Sequence, residues 1–201
     1  MPGFKLPKLE YLDISNNKLE KINEGWTGHP NLRTLKAVDN KFKSLSQFKA
    51  CPKLETVYMA QNSVTVIGGW AEMPALKRLH LRRNKVEKVD EECPPLEALE
   101  YLNIRANKLP NWEHLDRLFK NPMLLDINVL NNPVETQTSS FNMLVAEALT
   151  KQPKLIRFCK HKITEQNRLD AFHFGQYQWT KREEERARKA AEEAEKAAKE
   201  E

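Results

Sequence analysis

Apolar and polar residues follow a short pattern that repeats six times along the chain. In the first copy Leu9, Leu12 and Ile14 are followed by Asn17, and the last two apolar positions lie two residues apart. This spacing predicts a short strand with one buried face. The pattern begins again at residues 32, 54, 76, 99 and 124, so that successive copies start 22 to 25 residues apart. We therefore predict six copies of one structural unit, each stacked on the next.

An asparagine stands at the end of each predicted strand. Its amide can satisfy backbone groups where the chain turns, and stacked copies can form a hydrogen-bonded ladder. A proline also precedes the first leucine by two residues in five of the six copies, where it ends the preceding segment. The asparagines of this predicted ladder are Asn17, Asn40, Asn62, Asn84, Asn107 and Asn132.

The repeat predicts a curved solenoid of the α/β class. Parallel strands form its concave sheet, and helical or 3-10 segments return along its convex side. Large rings at repeat spacing, Trp26, Phe48 and Trp70, are expected to pack in the core rather than to stack on a ligand.

The pattern changes after residue 132. Residues 139 and 140 are serines suited to cap a helix, and apolar residues at helical spacing follow over Phe141–Leu149. The motif Pro153-x-Leu155-x-x-Phe158 then starts one further strand. We predict a C-terminal cap helix that covers the last repeat, and we assign residues 1–160 to the solenoid with its cap.

The N-terminal edge of the predicted solenoid has no equivalent cap, because only eight residues precede the first strand. An uncovered edge exposes core residues and unpaired backbone groups. Either the chain is a fragment or another subunit covers this edge. Our hypothesis is the second, and a well-behaved isolated monomer at high concentration would contradict it.

Two further segments follow the cap. Residues 161–180 are expected to be an aromatic extended linker or a docking segment, which docks on the solenoid or on a partner. Residues 181–201 are mostly Glu, Lys, Arg and Ala, with ion pairs such as Glu184–Arg188 at helical spacing. They predict an extended, charged helical tail without a coiled-coil seam. The candidate docking residues are Phe172, Phe174, Tyr177 and Trp179.

Strand residues that alternate with the core positions are expected to line the concave face in columns. Side chains at equivalent positions of neighbouring strands then lie about 5 Å apart. Repeats four and five concentrate arginines in these columns, with tyrosines beside them, and both residue types are enriched at binding hot spots. An acidic peptide or an acidic protein face is the natural complement. The predicted partner-binding patch consists of Tyr58, Arg78, His80, Arg82, Arg83, Tyr101 and Arg105.

The net charge of +5 supports this placement. Residues 1–160 hold 24 basic and 18 acidic residues, whereas residues 161–201 hold 9 and 10, so the positive charge belongs to the solenoid. The pI of about 9.0 is compatible with nucleic-acid binding. However, the strand aromatics do not interleave with arginines as stacking platforms would, so we expect no nucleic-acid partner.

The sequence contains no recognisable catalytic or metal-binding motif, and its five histidines are scattered over distinct repeats and the tail. We expect no enzymatic activity, no metal and no cofactor. The cysteines Cys51, Cys93 and Cys159 are far apart and predict free thiols in a reducing compartment. No apolar run of 18 residues occurs, and charged residues interrupt the first thirty, so we expect neither a membrane span nor a secretory signal.

These copies, exemplified by Leu54-Glu-Thr-Val-Tyr-Met-Ala-Gln-Asn62, resemble the sds22-like class of intracellular leucine-rich repeats. The end of the solenoid, from Asn131 to Phe158, is similar to the cap shared by that class, with Asn142 at a place where a basic residue is common. The resemblance covers about residues 6–160 and implies a leucine-rich-repeat solenoid. Together with the cap, the tail that starts at Lys181-Arg-Glu-Glu-Glu-Arg resembles that of an axonemal radial-spoke protein of the same class.

This resemblance implies a non-enzymatic scaffold in the cytoplasm, within the axoneme of a cilium or flagellum. Its partners would be other protein subunits of the radial spoke or axoneme, with no membrane contact. The alternative is a regulatory adaptor of a phosphatase or of axonemal dynein. The phosphatase regulator that gives the class its name is less similar, because its concave face is acidic and aromatic whereas this one is basic in its middle.

Overall fold

The computed structural model describes residues 6–22, 26–48, 50–70, 73–92 and 94–200, with side chains to residue 193. Within these ranges three α-helices form, α1 (Trp112–Phe119), α2 (Phe141–Lys151) and α3 (Glu165–Glu200), and 3-10 turns cover Ser46–Phe48 and Pro133–Gln137. The strands are β1 (Tyr11–Asp13), β2 (Thr34–Lys36), β3 (Thr56–Tyr58), β4 (Val66–Ile67), β5 (Arg78–His80), β6 (Lys88–Val89), β7 (Tyr101–Asn103), β8 (Asp126–Asn128), β9 (Arg157–Phe158) and β10 (His161–Lys162).

Eight strands form the concave sheet in the order β1-β2-β3-β5-β7-β8-β9-β10. Neighbouring strands from β1 to β9 are parallel, and β10 runs antiparallel to β9. Equivalent residues of successive repeats pair in register, as Thr56 does with Arg78 and Arg78 with Tyr101. The predicted six-repeat solenoid with a parallel concave sheet is therefore confirmed.

The core of the solenoid is formed by the strand residues that face inward. Leu35 and Leu79 in one column and Ala37 in the next are fully buried. In the first repeat Leu12 and Ile14 are only half-buried. Because hydrophobic stabilisation scales with the apolar area removed from water, the first repeat contributes less to stability than the inner ones.

The rings at repeat spacing also belong to the core. Phe48 and Trp70 are at most 3% exposed, and half-buried Trp26 meets Phe48 edge to face, with 6.3 Å between ring centroids. The Trp70 indole N–H donates to the carbonyl oxygen of Pro94 at 2.9 Å, so its polar atom is satisfied. Packing therefore accounts for these rings, as the sequence predicted.

The cysteines of the described residues lie in the interior. Cys51 and Cys159 are fully buried, and Cys93 lies outside the described residues. Burial raises the pKa of the Cys159 thiol to about 12, so this thiol stays protonated and unreactive at neutral pH.

The asparagine ladder joins each repeat to the backbone of the repeat before it. The Asn84 amide donates to the carbonyl oxygens of Met59 at 2.8 Å and Leu81 at 3.0 Å, and its Oδ1 accepts from the N–H of Val64 at 3.0 Å. The ladder thus runs through backbone groups rather than from one amide to the next. The same arrangement occurs at Asn40, Asn62, Asn107 and Asn132.

Asn17 at the N-terminal end of the ladder is different. Its amide donates only to Ile14 and Ser15 of its own repeat, and its side chain is exposed. A second repeating feature accompanies the ladder, because the residue before each ladder asparagine has a positive φ of 54 to 60°. The residues with this left-handed conformation are Asn16, Asp39, Gln61, Arg83, Ala106 and Asn131.

The convex side varies with the length of each repeat. β4 and β6 pair in parallel as a separate two-stranded sheet, and the second repeat has a 3-10 turn. The fifth repeat is the longest, with 25 residues from Leu99 to Leu124, and its convex segment forms α1. Leu115 and Leu118 of this helix are fully buried. Helical or 3-10 segments occupy the convex side of the second and fifth repeats as predicted, whereas short strands lie there in the third and fourth.

The predicted cap helix corresponds to α2, which follows the sixth repeat. Its N-cap residue Ser140 accepts a hydrogen bond from the N–H of Met143 at 3.3 Å. Leu144 and Ala148 face the core, and Phe158 of β9 is fully buried behind them. The cap therefore ends with a short seventh strand, and β10 pairs with the outer edge of that strand.

Residues 161–180 do not form the extended linker that was one expectation for this segment. After β10 the chain enters α3, which continues as one helix to Glu200. The helix begins with reciprocal capping, because the Thr164 Oγ1 accepts from the N–H of Asn167 at 3.2 Å and the Asn167 Oδ1 accepts from the N–H of Thr164 at 3.0 Å. The first half of α3 packs on α2 through Ala171 and Phe174, whereas every side chain from residue 179 to 193 is exposed.

Candidate protein-binding site on the concave face

Three rings from adjacent strands stack along the middle of the concave face. The ring centroids of Tyr58 and His80 are 4.4 Å apart with an interplanar angle of 24°, and those of His80 and Tyr101 are 4.8 Å apart. The strand register places the three residues on β3, β5 and β7. We call them the ring stack. Because their faces are in contact with each other, ring edges and the tyrosine hydroxyls remain for a partner.

Arginines surround the ring stack. The Arg78 guanidinium lies 6.0 Å from the centroid of the Tyr101 ring, and Arg82 and Arg105 occupy equivalent positions just beyond β5 and β7. The Nε atoms of Arg82 and Arg105 are buried and have no hydrogen-bond partner in the part of the chain that the structure describes. Among the described residues, no carboxylate lies within 4.0 Å of any of these three side chains. We call the three residues the concave arginine site.

At the repeat position that Arg82 and Arg105 occupy, the backbone N–H group has an acceptor in some repeats but not in others. In the fifth repeat the N–H of Arg105 donates to the Asn103 Oδ1 at 3.1 Å, and in the first repeat the N–H of Ser15 donates to the Asp13 Oδ1 at 2.9 Å. The equivalent N–H groups of Val38 and Leu130 are also satisfied by side chains. In the described part of the chain, no acceptor is found for the N–H groups of Ala60 and Arg82.

The unpaired donors have a local cause. The residue two positions earlier supplies the acceptor when it is Asp or Asn, but it is Tyr58 before Ala60 and His80 before Arg82. The rings of these two residues stack on one another instead of accepting from the backbone. The presence of Tyr58 and His80 in place of Asp or Asn therefore accounts both for the ring stack and for the unpaired N–H groups.

The three arginines supply the positive charge of the site together with Lys36, whose Nζ lies 5.8 Å from the centroid of the Tyr58 ring. Burial, together with the positive charge of Arg78, lowers the pKa of His80 to about 4, so this ring is neutral at physiological pH. Burial raises the pKa of Tyr101, which keeps its phenol protonated. The Tyr101 hydroxyl oxygen accepts from the Asn103 amide at 3.2 Å, and its own proton is left to donate to a ligand.

Two acidic residues near this face are paired within the chain. Glu55, just before β3, pairs with Arg33 and with Lys77 of the adjacent repeats. Asp126 on β8 pairs with Arg157 at 3.2 Å, and burial raises its pKa despite that partner. The concave arginine site is set apart from these pairs because it lacks such a counter-charge.

The structure brings most of the predicted concave residues together. The ring stack and the three arginines share the middle of the sheet, whereas Arg83 lies on the following turn with φ of 56°. Sequence reasoning did not identify the unpaired N–H groups of Ala60 and Arg82, or Asn103 as the residue that holds the Tyr101 hydroxyl. The sequence did contain a signal for the unpaired N–H groups, because Tyr58 and His80 stand at the strand position where other repeats have Asp or Asn.

A second surface lies between α2 and α3. A groove of about 730 Å³ is lined by Leu149 and Pro153 on one side and by Phe172, Gly175 and Trp179 of α3 on the other. Phe172 is 60% exposed and Trp179 66% exposed, although both are apolar. Of the other predicted docking residues, Tyr177 is exposed and Phe174 packs against the core.

The two phenylalanines of α3 are expected to differ in their effect on stability. Phe174→Ala should lower the free energy of unfolding by about 1–3 kcal/mol, because it removes a half-buried ring from the contact between α3 and the cap. Phe172→Ala should change it by less than about 0.5 kcal/mol, since that ring is largely in water. Urea unfolding of both variants measures the difference. Equal losses would contradict this placement of the two rings.

The described residues form neither a candidate metal site nor a membrane-spanning helix. No three side chains of His, Cys, Asp or Glu are placed together so that they could hold a metal ion. In the same ranges, no helix has the length and apolar character needed to span a bilayer.

Comparison with known proteins identifies the class. The family model described as Leucine Rich Repeat matches residues 8–29, the first repeat. The chain of the Drosophila melanogaster SNF/U2A' complex that matches this fold superposes with a TM-score of 0.52 at 23% identity, over 82% of this chain and 80% of that one. The chain therefore has the leucine-rich-repeat fold, and solenoids of this kind present an extended concave surface for binding other proteins.

Its curated relatives include several proteins named Leucine-rich repeat-containing protein 23. The human protein is 32% identical over 113 residues, which are 56% of this chain and 32% of the relative. The Xenopus tropicalis protein is 31% identical over 168 residues, 72% of this chain and 47% of the relative. The chain thus spans less than half the length of these relatives.

Proposed function

We propose that this protein is a non-enzymatic scaffold subunit of a ciliary or flagellar axonemal complex, the radial spoke. In this role it binds an acidic segment of another subunit at the concave arginine site. The observation that carries the proposal is the cluster of three arginines without a carboxylate partner among the described residues, beside the ring stack. Arginine and tyrosine are typical binding anchors.

The axonemal assignment is supported by similarity rather than by the site. The relatives named Leucine-rich repeat-containing protein 23 align with 56 to 84% of this chain, and the charged tail resembles that of a radial-spoke protein of the class. The exposed apolar groove between α2 and α3 offers a second contact surface, as a subunit held among several neighbours requires.

Charge reversal tests the binding site. Changing Arg78, Arg82 and Arg105 together to Glu should weaken binding to salt-extracted axonemal proteins by at least about tenfold, because attraction to an acidic segment becomes repulsion. The solenoid should stay folded, since none of the three side chains makes a hydrogen bond or ion pair in the described residues. Pull-down with titrated extract, with circular dichroism as a check on folding, measures both effects.

The matched control is Arg33→Glu, which reverses a charge that is already paired with Glu55 outside the site. Its binding should stay near that of the unmodified protein. If the triple variant binds as well as this control, the acidic segment binds elsewhere, and the aromatic groove between α2 and α3 becomes the candidate contact.

Fractionation tests the assembly itself. A radial-spoke subunit should stay with demembranated axonemes after detergent and low-salt washes. Release into the wash would contradict the structural role and favour the alternative of a regulatory adaptor of a soluble enzyme.

A further inference from the structure

We infer that the concave arginine site binds a phosphorylated side chain of its protein partner, with the phosphoryl group held between repeats three and five. This inference rests on the proposed function, because it specifies the chemistry of the acidic segment. It follows from the donors that meet at this position and from the lack of acceptors among them.

The donors belong to successive repeats and form a short row. Within the described ranges the backbone N–H groups of Ala60 and Arg82 have no acceptor, and Arg82 and Arg105 are equivalent residues of neighbouring repeats. Strands in a sheet are about 4.8 Å apart, so a ligand of a few ångströms can reach two repeats at once. Tyr101 adds an O–H that is held in place by Asn103.

This row suits a phosphoryl group better than a carboxylate. Two guanidinium groups side by side repel each other unless an anion lies between them, and a carboxylate supplies one charge and two oxygens. A phosphorylated residue supplies nearly two charges and three acceptor oxygens. It can therefore accept from both arginines and from the unpaired backbone groups, and charge-assisted bonds of this kind are the strong ones.

The neighbouring side chains limit what else can bind. Ala60 leaves room in the column, and Leu130 closes its far side with an apolar side chain. Tyr58 and Tyr101 cover the two faces of the His80 ring. Cations already lie near the two outer rings, with Lys36 5.8 Å from the centroid of Tyr58 and Arg78 6.0 Å from that of Tyr101, so a nucleobase would have to displace them in order to stack. The arrangement thus favours a phosphorylated protein segment over a nucleic acid.

Three matched peptides test the inference by calorimetry with the full chain. They share one acidic sequence and carry serine, glutamate or phosphoserine at its centre. The phosphoserine peptide should bind at least about tenfold more tightly than the glutamate peptide, because it gains charge-assisted hydrogen bonds. Inorganic phosphate should displace the phosphoserine peptide only at much higher concentration, which separates a protein-bound phosphoryl group from the free ion.

Two variants locate the phosphoryl group. Arg82→Ala combined with Arg105→Ala removes the guanidinium groups, and the preference for phosphoserine should then disappear. Tyr58→Asn combined with His80→Asn keeps every arginine but places, before Ala60 and Arg82, the residue type that accepts from the backbone in the fifth repeat. This variant should lose the preference by about tenfold, because its own amides then occupy the N–H donors. Circular dichroism checks that both variants fold.

A change of pH gives an independent readout. The second pKa of a phosphorylated serine is about 6, so lowering the pH from about 7.5 to about 5.5 should weaken phosphoserine binding roughly threefold. His80 stays neutral across this range, because its pKa is about 4. The other titratable neighbours, Lys36, Tyr101 and Asp126, affect the phosphoserine and glutamate peptides alike. The ratio of the binding affinities of the two peptides therefore reports the titration of the phosphoryl group itself.

The possible outcomes separate the two proposals. Tighter binding of phosphoserine that both variants abolish supports the inference. Equal binding of glutamate and phosphoserine peptides overturns it but leaves the acidic-segment proposal standing. If the acidic peptides bind no better than a neutral one, and the triple arginine reversal leaves extract binding unchanged, both proposals are wrong.

Discussion

Replacing Asn84 by alanine should lower the free energy of unfolding by about 2–4 kcal/mol. The side chain is buried and donates to two carbonyl oxygens while it accepts from the N–H of Val64. Alanine would leave these backbone groups in the interior without partners, and water cannot reach them without opening the stack of repeats. Urea denaturation at constant m-value measures the loss.

Asn17→Ala is the matched control for this prediction. Asn17 occupies the same place in the first repeat, but it is exposed and bonds only within its own repeat. Water can replace those bonds, so the cost should stay below about 1 kcal/mol. If both variants lost the same stability, the contact between repeats would not be what the ladder asparagines provide.

Gly28→Ala is expected to have a comparable effect for a different reason. Gly28 has φ of +79°, and a Cβ at this residue would overlap the carbonyl oxygen of Ala50. The left-handed conformation alone costs a residue with a Cβ about 1–2 kcal/mol, and the overlap with backbone forces the neighbouring repeat to shift. A loss of at least about 3 kcal/mol in thermal or urea unfolding is expected.

Gly175→Ala provides the contrast, because the same substitution lies inside α3. A Cβ there would meet the Thr150 Cγ2 at 3.5 Å, an ordinary van der Waals distance. Alanine is favoured over glycine in a helix by about 1 kcal/mol, so this variant should be as stable as the parent or slightly more stable. Destabilisation by Gly175→Ala would show that α2 and α3 pack too closely for any side chain at this position.

The fold could be predicted from the sequence because every repeat contains the same pattern of strand, core and asparagine positions. Six copies with nearly the same spacing define the strand positions, the columns and the asparagine ladder. An irregular residue in one copy does not change the register assigned to the other copies. The start of α3 was missed because its signal is local. Thr164 and Asn167 cap the helix, whereas the aromatic residues that follow have no clear helical period in the sequence.

The site was predictable only to the level of side-chain type. The register of the repeats places Arg82 beside Arg105 and stacks Tyr58 on His80, and both consequences follow from the column assignment. Whether a backbone N–H finds an acceptor depends on the rotamer of a neighbour and on the local turn, so it required coordinates. The same limit applies to Asp126, whose pairing with Arg157 crosses from the sixth repeat to the cap.

Because α3 is one continuous helix, its length sets the distance between the cap and any partner bound near its C-terminal end. Its 36 residues extend about 54 Å at 1.5 Å per residue, and only the first half is fastened to the cap. Anything bound to the far half is therefore held at a distance and a rotational angle set by residue count. Inserting a single residue near position 180 would advance such a partner by about 1.5 Å but turn it by about 100° around the helix axis. A small change in the length of α3 would thus alter the axial position of a bound partner only slightly, but it would change the partner's orientation around the helix strongly.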